Sequence, residues 1–129
     1  MTESKPMSAR VVPLYQREIQ VLNELEFYNT LADSIGSSIV FFSKPGCSAC
    51  RLWQRLLHEL LQEKQDIQVY QVDAEQNMGL SHEYELFHLP ALFLFLDGEF
   101  HCELQAEARL SNLLAAIEVA MAAPAEEAP

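Results

Sequence analysis

The chain has 129 residues, half of them apolar, which is enough for one buried core and short for two. Its formal net charge of -11 argues against phosphate backbones and anionic membrane surfaces as partners, because both demand clustered Lys and Arg. Met1 to Arg10 holds no apolar stretch of the secretory kind, no run reaches the length of a membrane span, and three cysteines do not form the even framework of a small secreted protein. The expected setting is cytoplasmic, with neither nucleic acid nor membrane as partner.

Residues 1–16 carry Pro6 and Pro13 without a sustained period and are expected to form a flexible N-terminal segment, with order beginning near Arg17. Glu18 to Leu22 reads as a short strand. Asn23 with Glu26 three residues later resembles a capping box, opening a helix that turns Phe27, Leu31 and Ile35 inward and ends at Gly36. Ser38 to Ser43 contains Ile39, Val40, Phe41 and Phe42 in succession, the pattern of a central strand buried on both faces. This strand runs through Lys44-Pro45-Gly46 into a helix opening on Cys47-Ser48-Ala49-Cys50. Leu52, Trp53, Leu56, Leu57, Leu60 and Leu61 recur there at helical spacing to about Lys64.

Ile67 to Val72 is the next strand, ended by Asp73; strand, helix and strand make a βαβ unit whose right-handed crossover implies parallel pairing. Asn77 is placed to cap a short helix that uses Leu80 and Tyr84, and Leu86 to Pro90 leads into a strand over Ala91 to Leu96. Asp97-Gly98 signals a hairpin, after which Phe100, Cys102 and Leu104 are expected on one face and His101 and Glu103 on the other. Leu110, Leu113, Leu114, Ile117 and Met121 mark a terminal amphipathic helix that Pro124 stops. The expected organisation is one domain over residues 17–122 and a disordered acidic tail over 123–129.

The chemistry centres on the two close cysteines. A thiol attacks as its thiolate, and the unpaired N–H groups and positive dipole end of a helix N-terminus stabilise that anion at Cys47. Two intervening residues bring Cys50 within bridging reach, so a disulfide can open and close without moving the fold. Structural zinc wants four ligands, and only Cys102 and four scattered His remain, so no metal is expected. Cys102 alternates in phase with Phe100 and Leu104 and reads as a small buried hydrophobe. Lys44, Arg51 and Arg55 flank the pair with no acidic residue among them; they either favour the thiolate and steer an anionic partner or form the solvated face of a helix. His88 reads as a loop residue and Trp53 as packing.

The order βαβαβαββα, with Cys47-Ser48-Ala49-Cys50 at the start of the second helix, Val72-Asp73, Tyr84 six residues before Pro90, and the hairpin Leu94-Phe95-Leu96-Asp97-Gly98-Glu99, resembles the thioredoxin family over about residues 17–122. The resemblance implies an α/β thioredoxin fold, a central mixed sheet of about five strands flanked by about four helices. It implies a protein-disulfide reductase with Cys47 as nucleophile and Cys50 as resolving thiol. Pro90 would be cis beside the pair, the backbone of Leu89 would pair with the substrate chain, and Gly46 and Lys44 would face that substrate. No cofactor is implied. Partners would be disulfide-containing client proteins and a thioredoxin-reductase-type electron donor, with glutathione as the alternative donor, and the protein would be a monomer. Four positions depart from the family pattern. Gly46 stands for its usual Trp, Ser48-Ala49 for Gly-Pro, Arg55 for a helix-kinking proline, and Phe41 for a buried Asp that serves as internal proton acceptor. The lead-in Ser43-Lys44-Pro45-Gly46 looks more like a glutaredoxin, in which a Lys at this place contacts the glutathione carboxylate. The alternatives are a glutathione-linked reductase and a redox-gated client-binding or chaperone module of the same fold.

Overall fold

A computed structural model describes residues 17–129, so the segment 1–16 lies outside the described residues. The chain runs β1 (Gln20–Val21), α1 (Phe27–Ala32), β2 (Ser37–Ser43), α2 (Ser48–Glu63), β3 (Ile67–Asp73), α3 (Met78–Glu83), β4 (Ala91–Leu96), β5 (Glu99–Leu104) and α4 (Leu110–Ala122). The five strands form one mixed sheet in the order β1-β3-β2-β4-β5. β1, β3 and β2 pair in parallel, β4 pairs antiparallel with β2, and β5 antiparallel with β4.

β2 is buried at all seven positions because both faces of the sheet are covered. Its alternate residues enter two cores. Ile39 and Phe41, with Val69, Leu92 and Leu94, pack under α2 and α4. Val40 and Phe42, with Tyr70, Val72, Phe93 and Phe95, pack under α1 and α3. The second core is aromatic: Tyr84 lies 5.1 Å from Phe93 and 5.5 Å from Phe42 between ring centroids, and Phe27 meets Tyr84 edge-on at 6.0 Å. Burial there pushes the Tyr84 phenol up to about 12, with the neighbouring Glu83 charge adding to it.

Contacts distant in sequence reshape several expected element ends. β1 is two residues long rather than five. The Asn23 side chain accepts N–H bonds from Leu25 and Glu26 at 2.9 and 3.1 Å, making a turn ahead of α1, and Glu26 itself gives no side-chain cap. Because α1 ends at Ala32, Ile35 falls beyond it and is exposed instead of facing inward. Asn77 does precede α3, but its side chain binds the Glu24 N–H and the Asp73 carbonyl, and the Glu24 carboxylate caps the helix by accepting the Leu80 N–H at 3.2 Å. Arg17 supplies the cation that the last turn of α2 lacks: its guanidinium donates to the carbonyls of Leu61, Lys64, Gln65 and Ile67. Leu52 and Met121, expected on apolar faces, are partly exposed.

The hairpin turn places both Asp97 and Gly98 at positive φ, +51° and +83°, as a two-residue loop between right-twisted strands requires. β5 then departs from simple alternation. Phe100 lies opposite Phe95 but Cys102 opposite Leu94, so His101 is an extra, bulged residue. Phe100 therefore joins the aromatic core while Cys102 and Leu104 enter the other one, in place of the shared face expected from the sequence. His101 is buried, with its Nε2 2.7 Å from the Ala120 carbonyl. The tail, expected to be disordered, has no regular secondary structure and is exposed, and its Glu126 N–H donates to the His101 carbonyl at 2.7 Å. Among the described residues no helix is long and apolar enough to cross a membrane.

Candidate functional site

The sheet register gathers the site at one end. Ala91 of β4 lies opposite Phe42 of β2, so Pro90 is carried beside the turn that follows Ser43 and leads into Cys47. The Leu89-Pro90 peptide bond is cis, and both residues are half-buried. In the turn itself Gly46 takes φ +75°, and a Cβ there would meet nothing within 4 Å; conformation, not crowding, selects glycine.

Cys47 is the N-cap residue of α2, and its Sγ accepts the Cys50 backbone N–H at 3.1 Å. This is the place an Asp or Ser oxygen commonly takes, here filled by sulfur. Cys47 and Cys50 are joined by a disulfide with Cα atoms 5.2 Å apart. The two sulfurs are not equivalent: Cys47 is half-buried, whereas Cys50 is 4% exposed and belongs to the core that holds Phe41 and Trp53. No acidic residue stands in the first turn of α2, and Lys44, Arg51 and Arg55 are exposed around it. Trp53 is buried as packing, and His88 is exposed on the loop before Pro90.

Phe41 is fully buried, lying between Gln71 of β3 and Leu92 of β4 in the ladder, and belongs to the same apolar core as Cys50. Polar side chains also adjoin Cys50. Cys50 lines a cleft of about 460 Å³ together with Ser43, Gln54, Gln71 and Asp73. Within it Gln54 Nε2 donates to Gln71 Oε1 at 3.3 Å, and Gln71 Nε2 donates to Ser43 Oγ at 2.8 Å. Sequence reasoning passed over Gln71. Its signal was there: it continues the Ile67, Val69 phase of β3, so a polar amide occupies a position on the face turned to α2. A second cleft, beside Leu89, is lined by Lys44, Met78, Phe87 and His88, with Phe87 87% exposed and Met78 58% exposed. These two apolar side chains were also missed, since their meeting with Lys44 and Leu89 depends on the register.

Cys102 is a buried free thiol, pushed up by burial and then by the Glu126 charge, and it lines neither of these clefts. Among the described residues no three His, Cys, Asp or Glu side chains are grouped to hold a metal ion. What the site offers is one half-buried cysteine at a helix N-terminus, linked by a disulfide to one buried cysteine.

A family model described as Thioredoxin matches residues 18–119. Thioredoxin domain-containing protein 2 of Mus musculus is 27% identical over 103 residues, a match covering 77% of this chain and 20% of that protein. The chain thus spans about a fifth of that relative's length, as it does for the protein of the same name in Rattus norvegicus. Among solved structures, mitochondrial thioredoxin 3 from Saccharomyces cerevisiae in its oxidized form gives a TM-score of 0.67 at 24% identity, over 78% of this chain and 94% of that one. Human ERp44 in its zinc-bound form gives 0.68 at 19% identity, over 79% of this chain and 32% of that one. At these identities the two structures establish a common fold.

Proposed function

The chain belongs to the thioredoxin family, and from that premise we propose that it reduces protein disulfides by dithiol exchange through Cys47 and Cys50. The observation that carries this reading is the inequality of the two sulfurs, Cys47 half-buried and capping α2, Cys50 enclosed in the core. The Cys47 thiolate attacks one sulfur of a client disulfide; a Cys47–client bond forms, and the other client sulfur leaves as a thiolate and takes up a proton. Cys50 then gives up its proton and attacks Cys47 Sγ. The Cys47–Cys50 bond forms, the remaining client sulfur leaves, and two electrons have passed to the client. A dithiol donor of the thioredoxin-reductase type restores the pair, and the Leu89 backbone, Pro90, Gly46 and Lys44 form the surface on which the client strand rests. The protein works in this reading as a cytoplasmic monomer.

The test is insulin reduction driven by NADPH and a thioredoxin reductase, compared with reduction of a small mixed disulfide by glutathione. The first is expected to be faster and to vanish in Cys47→Ser, while Cys50→Ser retains clients as mixed disulfides. The opposite ranking, with loss of the glutathione reaction in Lys44→Ala, would assign the donor to glutathione. A second reading, redox-gated client binding, is favoured by Phe87 and Met78, which offer apolar surface in the cleft that Lys44 and Leu89 line. Under it clients stay bound and no disulfide is turned over.

A further inference from the structure

The exchange proposed above requires Cys50 to lose a proton, and the buried core it shares with Phe41 holds an apolar ring, which cannot accept one, at that strand position. Cys50 also lines the cleft that it shares with Ser43, Gln54, Gln71 and Asp73. We infer that the Cys50 proton leaves by this cleft, through water positioned by the Ser43–Gln71 pair, to the carboxylate of Asp73; the inference rests on the exchange reading and gives its second step a route.

Three features converge. First, Ser43 and Asp73 are direct partners in the parallel ladder, and Phe41 and Gln71 are the pair two residues before them, so all four side chains share the sheet face under α2. Second, the hydrogen bonds leave the right atoms free. Gln71 Nε2 donates to Ser43 Oγ, so the hydroxyl hydrogen of Ser43 remains to bind water, and Gln54 holds the Gln71 amide in that orientation. Asp73 Oδ1 accepts the N–H groups of Glu75 and Gln76 at 2.8 and 3.2 Å, which fixes the carboxylate and leaves Oδ2 for the cleft. Third, the space of about 460 Å³ admits several waters, each taking about 30 Å³. The charged groups lining the cleft are Asp73 from β3, Lys44 from the turn and Arg51 from α2; the two cations favour the thiolate that the proton leaves behind.

The proton balance closes. Cys50 S–H yields its proton through water to Asp73, the thiolate forms the Cys47–Cys50 bond as the Cys47–client bond breaks, and the departing client thiolate takes a proton back from Asp73. Gln71 and Ser43 are positioning residues throughout.

Stopped-flow mixing of the reduced full chain with 5,5′-dithiobis(2-nitrobenzoate) separates the steps, because attack by Cys47 releases the first chromophore and resolution by Cys50 the second. Asp73→Asn keeps the oxygen that accepts the Glu75 and Gln76 amides and removes the proton acceptor. It is expected to leave the first phase within about twofold and to slow the second about ten- to hundredfold. Its second phase should also rise steeply from pH 6 to 9 where that of the unchanged protein is level. Gln71→Leu should slow the second phase in the same direction, and Gln71→Glu, which sets a carboxylate beside Phe41, should restore it when combined with Asp73→Asn. An unaltered second phase and pH profile in Asp73→Asn would overturn the route while leaving the exchange intact. Absence of any second phase in the unchanged protein would instead overturn the exchange reading, and the route with it.

Discussion

Replacing Phe41 by aspartate tests whether the core it shares with Cys50 is closed to water. The side chain is fully buried, and its ladder neighbours offer little to a new carboxyl: Leu92 is apolar, and the Gln71 amide is already engaged by Ser43 and Gln54. Losing the ring costs about 3–5 kcal/mol, and leaving a buried polar group incompletely bonded adds about 1–3 kcal/mol. The sum, about 4–8 kcal/mol, is comparable to the roughly 5–15 kcal/mol that holds a whole domain together. With a urea slope of about 2 kcal/mol per molar, the middle of the usual range, the midpoint should fall by about 2–4 M. The sign with pH follows from burial, which makes the new carboxyl hold its proton more tightly in the folded than in the unfolded chain. The variant's stability is then greatest below the ordinary carboxyl pKa of about 4 and declines as pH rises through the raised folded value. Urea melts of the oxidised protein, of Phe41→Leu as a volume control expected to lose about 1 kcal/mol, and of Phe41→Asp at pH 5 and 7.5 give the comparison. If Phe41→Asp matches Phe41→Leu within about 1 kcal/mol and its stability ignores pH, the position is wet and the core shared with Cys50 is not closed there.

Alkylation of the reduced protein at neutral pH should modify Cys47 well before Cys50 and Cys102, and mass analysis showing equal labelling of all three would remove the ordered mechanism. In the oxidised protein Cys102, buried and shifted up, should react with thiol reagents only on unfolding. Gly98→Ala should lower stability by about 2–4 kcal/mol in denaturant melts, because a Cβ at φ +83° costs about 1–2 kcal/mol in conformation and also presses on the Leu31 carbonyl. Gly46→Ala, with open space around it, should lose only the conformational part, about 1–2 kcal/mol. Cys102 and Tyr84 both hold their protons more tightly when folded. Stability of the oxidised protein should therefore be full below the ordinary thiol range near pH 9, fall as pH climbs beyond it, and keep falling from 10 toward about 12; Tyr28, raised likewise by burial, adds to the upper part of that decline, so Tyr84→Phe should lessen it and not abolish it.

Features written within one element were legible before any coordinates. Four consecutive apolar residues at Ile39 to Phe42 mark a strand covered on both faces, and the recurrence from Trp53 to Leu61 marks the buried stripe of α2. The position of Cys47 at a helix start, and Cys50 one turn behind it, likewise needs only local spacing. What escaped is what depends on two distant segments meeting. The capping of α3 goes to Glu24, 56 residues before the Leu80 amide it binds, so the local candidate Asn77 was a reasonable but displaced choice. The bulge at His101 is set by how β5 lies on β4, which period-two alternation does not contain. The polar cleft escaped for the same reason. Gln71 reads as an ordinary strand residue until the register sets it next to Phe41 and within reach of Ser43.

The bulge at His101 bears on the border of the sheet that β5 forms. β5 closes one side of the sheet, and a straight, unoccupied border strand is a template onto which a second chain can add its own strand. Here that border is bent in mid-course, one of its carbonyls is taken by the Glu126 amide, and the segment making that bond carries Glu126 and Glu127. A short acidic stretch laid against the kink occupies part of that border. The same hairpin that carries Phe100 and Cys102 into their separate cores is thereby a poorer template for strand addition than a straight edge would be.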